Sequence, residues 1–119
     1  MSLSRRRNRG LKVITAMLPF KGTLTITSDV INVNGPGMYL IAPETAGVND
    51  QVTQVNNTQQ GKMYRFYKSN DDQVIKFVIG GNVYIEGGGP ANLNDLRDYF
   101  EGNCRVAGEI EGFVVNIPN

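Results

Sequence analysis

The amino-acid sequence predicts an all-β fold, a small antiparallel β-sandwich or barrel-like domain built from short strands. Two observations support this prediction. Fourteen of the 119 residues are glycine, and many segments between the turns alternate polar and apolar residues with the period of two that a half-buried strand shows. With 40% hydrophobic and 19% charged residues, the chain has the composition of one globular domain.

The first half of the chain carries several strand patterns. Residues 11–18 are largely apolar and include three β-branched side chains, and Pro19 ends this run. In residues 23–27, Leu24 and Ile26 share one face while the threonines occupy the other. Further short strands are predicted at residues 30–33, 38–41 and 51–55.

The second half contains the strongest strand pattern of the sequence. In residues 62–68, Met63, Arg65 and Tyr67 alternate with two other aromatic residues, and residues 74–79 are rich in Val, Ile and Phe. The polar turn between the two segments predicts a hairpin. Residues 82–86, 104–107 and 112–117 predict the remaining strands.

Only residues 92–100 show helical spacing. Leu93, Leu96 and Phe100 lie at positions i, i+3 and i+7, Asn92 is a suitable N-cap, and Gly102 follows. This pattern predicts one short helix.

Charge divides the chain into a basic arm and an acidic body. The whole sequence has 12 basic and 11 acidic residues and a formal charge of +1, so the rest of the chain carries −4 once the five positive charges of residues 1–12 are removed. We predict a docking arm with the first strand at residues 1–21 and a β-rich body at residues 22–119. An arm of this kind can bind an acidic protein surface or nucleic acid, or remain a solvated tail. Its five basic residues are Arg5, Arg6, Arg7, Arg9 and Lys12.

The composition also excludes several classes of function. The chain has no histidine and one cysteine, which excludes His-based catalysis, His metal sites and an intrachain disulfide. We expect no enzyme activity, no metal and no cofactor, and a buried or half-buried thiol at Cys104. The paired carboxylates at 95 and 98, and at 109 and 111, are interpreted as solvated. No apolar run approaches the ~20 residues of a membrane-spanning helix or forms a signal peptide, so we expect a non-secreted protein without a membrane partner.

The aromatic residues form the other candidate site. They can stack on a ligand, contribute to a subunit interface or belong to the core. Because a thin sheet of short strands buries little area, we expect a homo-oligomer. The candidate ligand or interface aromatics are Tyr39, Tyr64, Phe66, Tyr67 and Tyr84, and Arg65 and Lys76 lie near them in the sequence.

Several short motifs follow one another in a particular order between Gly22 and Pro118. They are GMYLIAPE at 37–44, residues 50–57 in the position of a D-x-I-T-x-I-N stretch, GKMYRFY at 61–67, NDDQVIKF at 70–77, GNVYIEGG at 81–88, and Leu93. This order resembles a β-rich module of tailed-bacteriophage head-fibre, capsid-decoration and tail-fibre or tail-spike proteins. The sequence departs from the family in two places, since Phe66-Tyr67 stands where the family has Leu-Arg and residues 92–102 look like a helical insertion.

The resemblance implies a homotrimeric virion protein without a catalytic site, made in the host cytoplasm. We expect capsid decoration or a head-fibre component, with the basic arm docking on the major capsid protein or another virion protein while Leu11, Val13 and Ile14 add apolar contacts. One alternative is a tail module that binds a host glycan through Tyr39, Tyr64, Tyr67 and Tyr84. A less favoured alternative is a nucleic-acid-binding barrel that uses Arg65, Lys76 and the arm.

Overall fold

A computed structural model describes residues 18–117 of the chain, and these residues form strands and turns without a helix. The all-β prediction is therefore confirmed for this part of the chain. The strands are β1 Phe20–Thr25, β2 Val30–Asn32, β3 Gly37–Ala42, β4 Asp50–Val52, β5 Gln54–Asn56, β6 Met63–Lys68, β7 Ile75–Phe77, β8 Val83–Ile85, β9 Ala91–Leu93, β10 Tyr99–Asn103 and β11 Ile110–Val115.

Strands that follow one another in the chain do not pair with each other over most of the fold. Instead, β1 lies parallel to β3, β3 to β6, β2 to β5 and β4 to β7. Each turn of the chain therefore stacks on the previous one, as in a β-solenoid. We refer to β1–β2, β3–β5 and β6–β8 as the three coils.

The last three strands close this stack, and we call them the cap. β9 pairs antiparallel with β7, β10 pairs antiparallel with β6, and β11 pairs antiparallel with β10 and parallel with β8. The result is one six-stranded sheet in the order β1-β3-β6-β10-β11-β8, beside a two-stranded sheet β2-β5 and a three-stranded sheet β4-β7-β9.

Glycine allows the two long cap strands to approach each other closely. Gly102 and Gly112 are register partners. A Cβ atom at Gly112 would overlap the carbonyl oxygen of Glu101, and one at Gly102 would lie 2.5 Å from Cδ1 of Ile110. The inner side of the cap therefore has no room for side chains at these two positions.

A side chain replaces a strand where the two-stranded sheet ends. The Oδ1 atom of Asn82 accepts a hydrogen bond from the Val55 N–H at 2.8 Å, and its Nδ2 atom donates to the Val55 carbonyl at 2.6 Å. Nδ2 also donates to the Gly108 carbonyl at 2.9 Å. Asn82 thus satisfies the backbone of β5 as a third strand would.

The core fills the space between the sheets with inward-pointing aliphatic and aromatic side chains. Phe66 lies at its centre, with ring-centroid distances of 5.8 Å to Tyr39 and 5.3 Å to Phe77. The buried Tyr39 hydroxyl donates to the Gly35 carbonyl at 2.6 Å and accepts the Asn34 N–H at 2.8 Å. Tyr64 is also fully buried. Burial raises the pKa of both phenols above the ordinary 10.0, although a backbone hydrogen bond to each opposes this shift.

Two predictions about topology are wrong. The sheets form a solenoid-like stack with many parallel pairs, rather than a clear antiparallel sandwich or barrel. Residues 62–68 and 74–79 do not form a hairpin, because β6 pairs with β3 and β10, whereas β7 pairs with β4 and β9. The segment between β6 and β7 leads from the six-stranded sheet to the three-stranded sheet. The predicted alternation along β6 is confirmed, since residues 64 and 66 are buried.

The predicted helix at residues 92–100 is also wrong. Leu93 and Phe100 do point into the core, but they do so from β9 and β10, and Leu96 lies in the exposed turn between these strands. The carboxylate of Asp98 is buried and accepts the backbone N–H groups of residues 94 and 95, each at 3.1 Å. A strand, a carboxylate-bonded turn and a second strand therefore produce the same apolar spacing as a helix.

Several boundary predictions can be compared with the described residues. β1 begins at Phe20 and so crosses the predicted boundary between residues 21 and 22. Residues 104–107 form a turn rather than a strand, whereas β11 overlaps the strand predicted at 112–117. Cys104 is buried, as predicted. Apart from Leu18, the strand predicted at residues 11–18 lies outside the described residues, and so do all five basic residues of the arm.

Candidate interaction surface

The outer face of the six-stranded sheet carries three rows of side chains that continue from the coils into the cap. One row aligns Met63, Asn103, Glu111 and Tyr84, and the other two are richer in apolar and aromatic residues. The strands alternate regularly, so every second residue of β3, β6, β10 and β11 points outward. We call the two richer rows the outer platform. Strand register aligns Met38, Arg65, Glu101 and Phe113 in the first row and Leu40, Tyr67, Tyr99 and Val115 in the second.

The centre of the outer platform is a packed group of four side chains. Arg65 bonds to Oε1 of Glu101 through Nη2 at 2.6 Å and Nε at 2.9 Å. Its guanidinium carbon lies 4.6 Å from the centroid of the Tyr99 ring, which in turn lies 5.1 Å from the ring of Tyr67. These contacts hold four long side chains in one arrangement before any partner binds.

The electrostatics of this group favour a permanently charged pair. Partial burial opposes the charge on Arg65, but the hydrogen bond and the Coulomb attraction of Glu101 outweigh that effect and raise the pKa of Arg65. Arg65 therefore stays a cation, bonded to the carboxylate of Glu101.

Exposed aromatic residues also lie on β1 and β8, the two edge strands of the six-stranded sheet. Phe20 on β1 is 61% exposed, and Tyr84 on β8 is 44% exposed. Tyr84 and Phe113 line a shallow cleft of about 360 Å³, together with Glu86, Asn103 and Glu111. Large apolar side chains in contact with water on one face are typical of an interaction site.

The outer sides of the two smaller sheets are polar by contrast. Strand register aligns Gln51, Lys76 and Asn92 across β4, β7 and β9. They lie in an open groove of about 560 Å³, together with Asp29, Asn49, Asp50, Val74 and Asn94. The two-stranded sheet presents Asn32 and Asn56, whose amides are hydrogen-bonded at 3.0 Å.

The structure separates the five candidate aromatics into two groups. Tyr39, Tyr64 and Phe66 are core residues with at most 1% exposure, so of the three alternatives left open by the sequence these residues take the core one. They point inward because they occupy the apolar phase of β3 and β6. Tyr67 and Tyr84 lie on the outer face of the large sheet, but β10 and β11 separate their strands.

The residues proposed for nucleic-acid binding are not brought together. Arg65 lies on the outer platform and is paired with Glu101, whereas Lys76 lies in the polar groove of the three-stranded sheet. Residues 1–17 are not described, so the arm adds no observation on this question.

The paired carboxylates interpreted as solvated take two kinds of position, and the interpretation is wrong for Asp98, which is buried. Asp98 holds the turn between β9 and β10, and Glu111 forms an ion pair with Arg105 at 2.5 Å. Within residues 18–117, no three metal-binding side chains of the His, Cys, Asp or Glu type lie together. The same residues include no helix with the length and hydropathy needed to cross a membrane.

Sequence reasoning missed the cap side of the outer platform. Tyr99 was assigned to the predicted helix, and neither Glu101 nor Phe113 was proposed as a site residue. One usable signal was the alternation of Tyr99, Glu101 and Asn103 with Phe100 and Gly102, which has the period of a strand.

Comparison with known proteins adds no relative to these observations. No protein-family model, curated protein or solved structure matches the chain.

Proposed function

We propose that the chain is a non-enzymatic structural protein of a tailed-bacteriophage virion, a capsid-decoration or head-fibre component that acts by binding other proteins. The observation that carries the binding role is the outer platform, an ordered apolar and aromatic surface on the largest sheet. The phage assignment rests on the sequence resemblance, which also implies a homotrimer.

The composition of the outer platform supports a protein partner. Protein interfaces are enriched in Tyr, Phe, Met and Arg and contain few lysines at their centres. The two rows contain residues of all four enriched types and no lysine.

The N-terminal arm is proposed to attach the protein to the capsid. Arg5, Arg6, Arg7 and Arg9 would pair with acidic groups of the major capsid protein or another virion protein, because guanidinium groups form bidentate bonds with carboxylates. Leu11, Val13 and Ile14 would add apolar contacts. The described chain begins next to β1, an edge strand of the large sheet.

The test is incorporation into particles. Phage particles produced by the strain that encodes the chain are purified on a density gradient and probed for the protein. We expect it to sediment with the particles, and we expect Arg-to-Glu substitutions at positions 5, 6, 7 and 9 to release it. Substitution of the exposed body residue Lys62 by Glu is the control and should not release it. Particles that lack the wild-type protein would contradict the proposed function.

The polar groove on the three-stranded sheet favours one second candidate, a tail-fibre or tail-spike module that binds a host-surface glycan. Lys76, Asn92 and Asp29 place an ammonium, an amide and a carboxylate around one open groove, and such groups bind sugar hydroxyls. Binding to immobilised bacterial glycans that is lost in Lys76→Ala and Asn92→Ala, but kept in Lys62→Ala, would support this candidate. No retention of the wild-type chain on any of these glycans would exclude it.

A further inference from the structure

We propose that the occupant of the outer platform is a second copy of this chain. This inference rests on the proposed function in one respect, because it identifies the partner of the same surface. It adds a specific contact, in which Arg65 of each copy lies against Glu101 of its neighbour.

Charge complementarity is the first argument for a second copy. The outer platform has one cation and one anion side by side at its centre, flanked by apolar residues in both rows. Such a face is complementary to itself, since a copy placed over it can bring Glu101 to Arg65 and Arg65 to Glu101. A uniformly acidic or basic partner would instead leave one of the two charges facing a like charge.

The second argument is the low cost of ordering this surface. Arg65 is already bonded to Glu101 and stacked on Tyr99, and Tyr99 already contacts Tyr67. Side chains that are fixed before association lose little conformational entropy when a partner binds. Aromatic residues and arginine are also the residue types that carry most binding energy in interfaces.

The size of the face is the third argument. Six strands at a spacing of about 4.8 Å span about 24 Å. All of them except the three-residue β8 contain five or six residues and are about 17–20 Å long. The flat footprint is therefore about 400–500 Å², before the relief of the side chains is counted. A specific interface buries about 800 Å² of accessible surface on each partner, so the flat face supplies about half of that area and its protruding side chains must supply the rest.

The first experiment is light scattering of the full-length protein at increasing concentration. The wild-type chain should have about twice the 13.1 kDa mass of the monomer, because a reciprocal contact joins two copies. A mass of three monomers, which the resemblance implies, would overturn this reciprocal contact. Tyr67→Lys should weaken the association at least about tenfold. Phe113→Lys, at an already exposed position on the same face, provides a second test if Tyr67→Lys does not fold. The matched control is Gln51→Lys, which adds the same charge to the polar face and should leave the mass unchanged.

A charge exchange tests the specific contact. Arg65→Glu gives a face with two acids and Glu101→Arg a face with two bases, so each variant should be largely monomeric by itself. An equimolar mixture of the two should regain the wild-type mass, because each face now finds its complement. Circular dichroism of each variant establishes that it is folded.

The outcomes separate this inference from the proposed function. A wild-type chain that remains monomeric at about 100 μM overturns the inference, and so does an oligomer whose mass is the same in Tyr67→Lys and Phe113→Lys. A dimer that depends on the outer platform but is missing from phage particles supports the inference and contradicts the proposed function. A monomer that is nevertheless found in particles supports the proposed function and assigns another occupant to the platform.

Discussion

The three coils and the cap are built from similar short strands, but the strands pair in different directions in the two regions. In the coils, parallel register repeats from one turn of the chain to the next, and nothing in that pairing stops further strands from being added. The cap reverses the strand direction and places close-packed glycines where the coils have aromatic side chains. The comparison teaches that the repeat is formed by apolar alternation, whereas its end depends on a few specific residues.

The outer platform belongs to both regions. Arg65 and Tyr67 come from β6 in the coils, while Tyr99 and Glu101 come from β10 in the cap. A change that displaces the cap therefore also disrupts the central group of the platform. Variants in the cap thus test both the stability of the fold and the integrity of the proposed interface.

The largest effect is expected for Gly112→Ala. The new Cβ atom would overlap the backbone of Glu101, which no rotamer change can relieve. We expect the free energy of unfolding to fall by about 3 kcal/mol or more. Chemical denaturation followed by circular dichroism measures this effect. In the control Gly89→Ala, the Cβ atom meets no atom within 4 Å, so its stability should be within about 0.5 kcal/mol of the wild type.

The next largest effect is expected for Asn82→Ala, at the point where a side chain ends the two-stranded sheet. The substitution leaves the buried N–H and carbonyl of Val55 without their partners. Each unsatisfied group costs about 1–3 kcal/mol, so we expect a loss of about 2–3 kcal/mol. Hydrogen exchange should show faster exchange of the Val55 amide. Asn70→Ala in an exposed turn is the control, and equal losses in the two variants would contradict the assigned role.

Lys68→Met tests the connection between the coils and the cap. The buried ammonium donates to the Gln73 carbonyl at 3.0 Å and the Asn94 carbonyl at 2.8 Å, and it lies 3.2 Å from the mostly exposed Asp71 carboxylate. Methionine keeps the apolar stem but satisfies neither carbonyl, so we expect a loss of about 2 kcal/mol. Lys62→Met, which changes an exposed lysine, should leave the denaturation midpoint nearly unchanged. A loss of the same size in that variant would argue against the connection.

The coils could be predicted from the sequence far better than the cap could. The alternation in residues 63–67 places the correct side chains inside, because burial of one sheet face enforces a period of two. Strand partners do not follow from this period, which is why the hairpin was wrong. In the cap, the spacing of Leu93, Leu96 and Phe100 fits one helix. It fits equally well two strands that are joined by a turn. The carboxylate of Asp98 favours the turn, because it accepts hydrogen bonds from the backbone N–H groups of residues 94 and 95. The spacing of apolar residues does not predict these hydrogen bonds.

The part of the candidate site that lies in the coils could also be predicted better than the part that lies in the cap. The sequence predicts Tyr67 as a site residue only within a group of five aromatic residues, three of which lie in the core. Tyr99 and Glu101 complete the outer platform only through the antiparallel register of β6 and β10. That register joins residues about 35 positions apart, and local patterns contain no information about such a pairing.

The smallest predicted effect is a dependence of stability on alkaline pH that arises in the coils. Tyr39 and Tyr64 are both coil residues, and burial raises the pKa of each above 10.0, the ordinary value that applies in the unfolded chain. Below pH 10 both states keep these protons. As the pH rises above 10, the unfolded state loses them first, so the free energy of unfolding should fall until the folded-state pKa values are passed. Each unit of difference in pKa corresponds to about 1.4 kcal/mol.

Denaturant unfolding at a series of pH values on either side of 10 measures this dependence. Tyr39→Phe should have a smaller slope above pH 10 than the wild type, even though loss of the hydroxyl bonds to residues 34 and 35 lowers its stability at neutral pH. Ultraviolet absorbance of the folded protein should show phenolate formation at a higher pH than in free tyrosine, and this component should shrink in the variant. An unchanged slope in Tyr39→Phe would mean that the alkaline sensitivity arises outside this buried phenol.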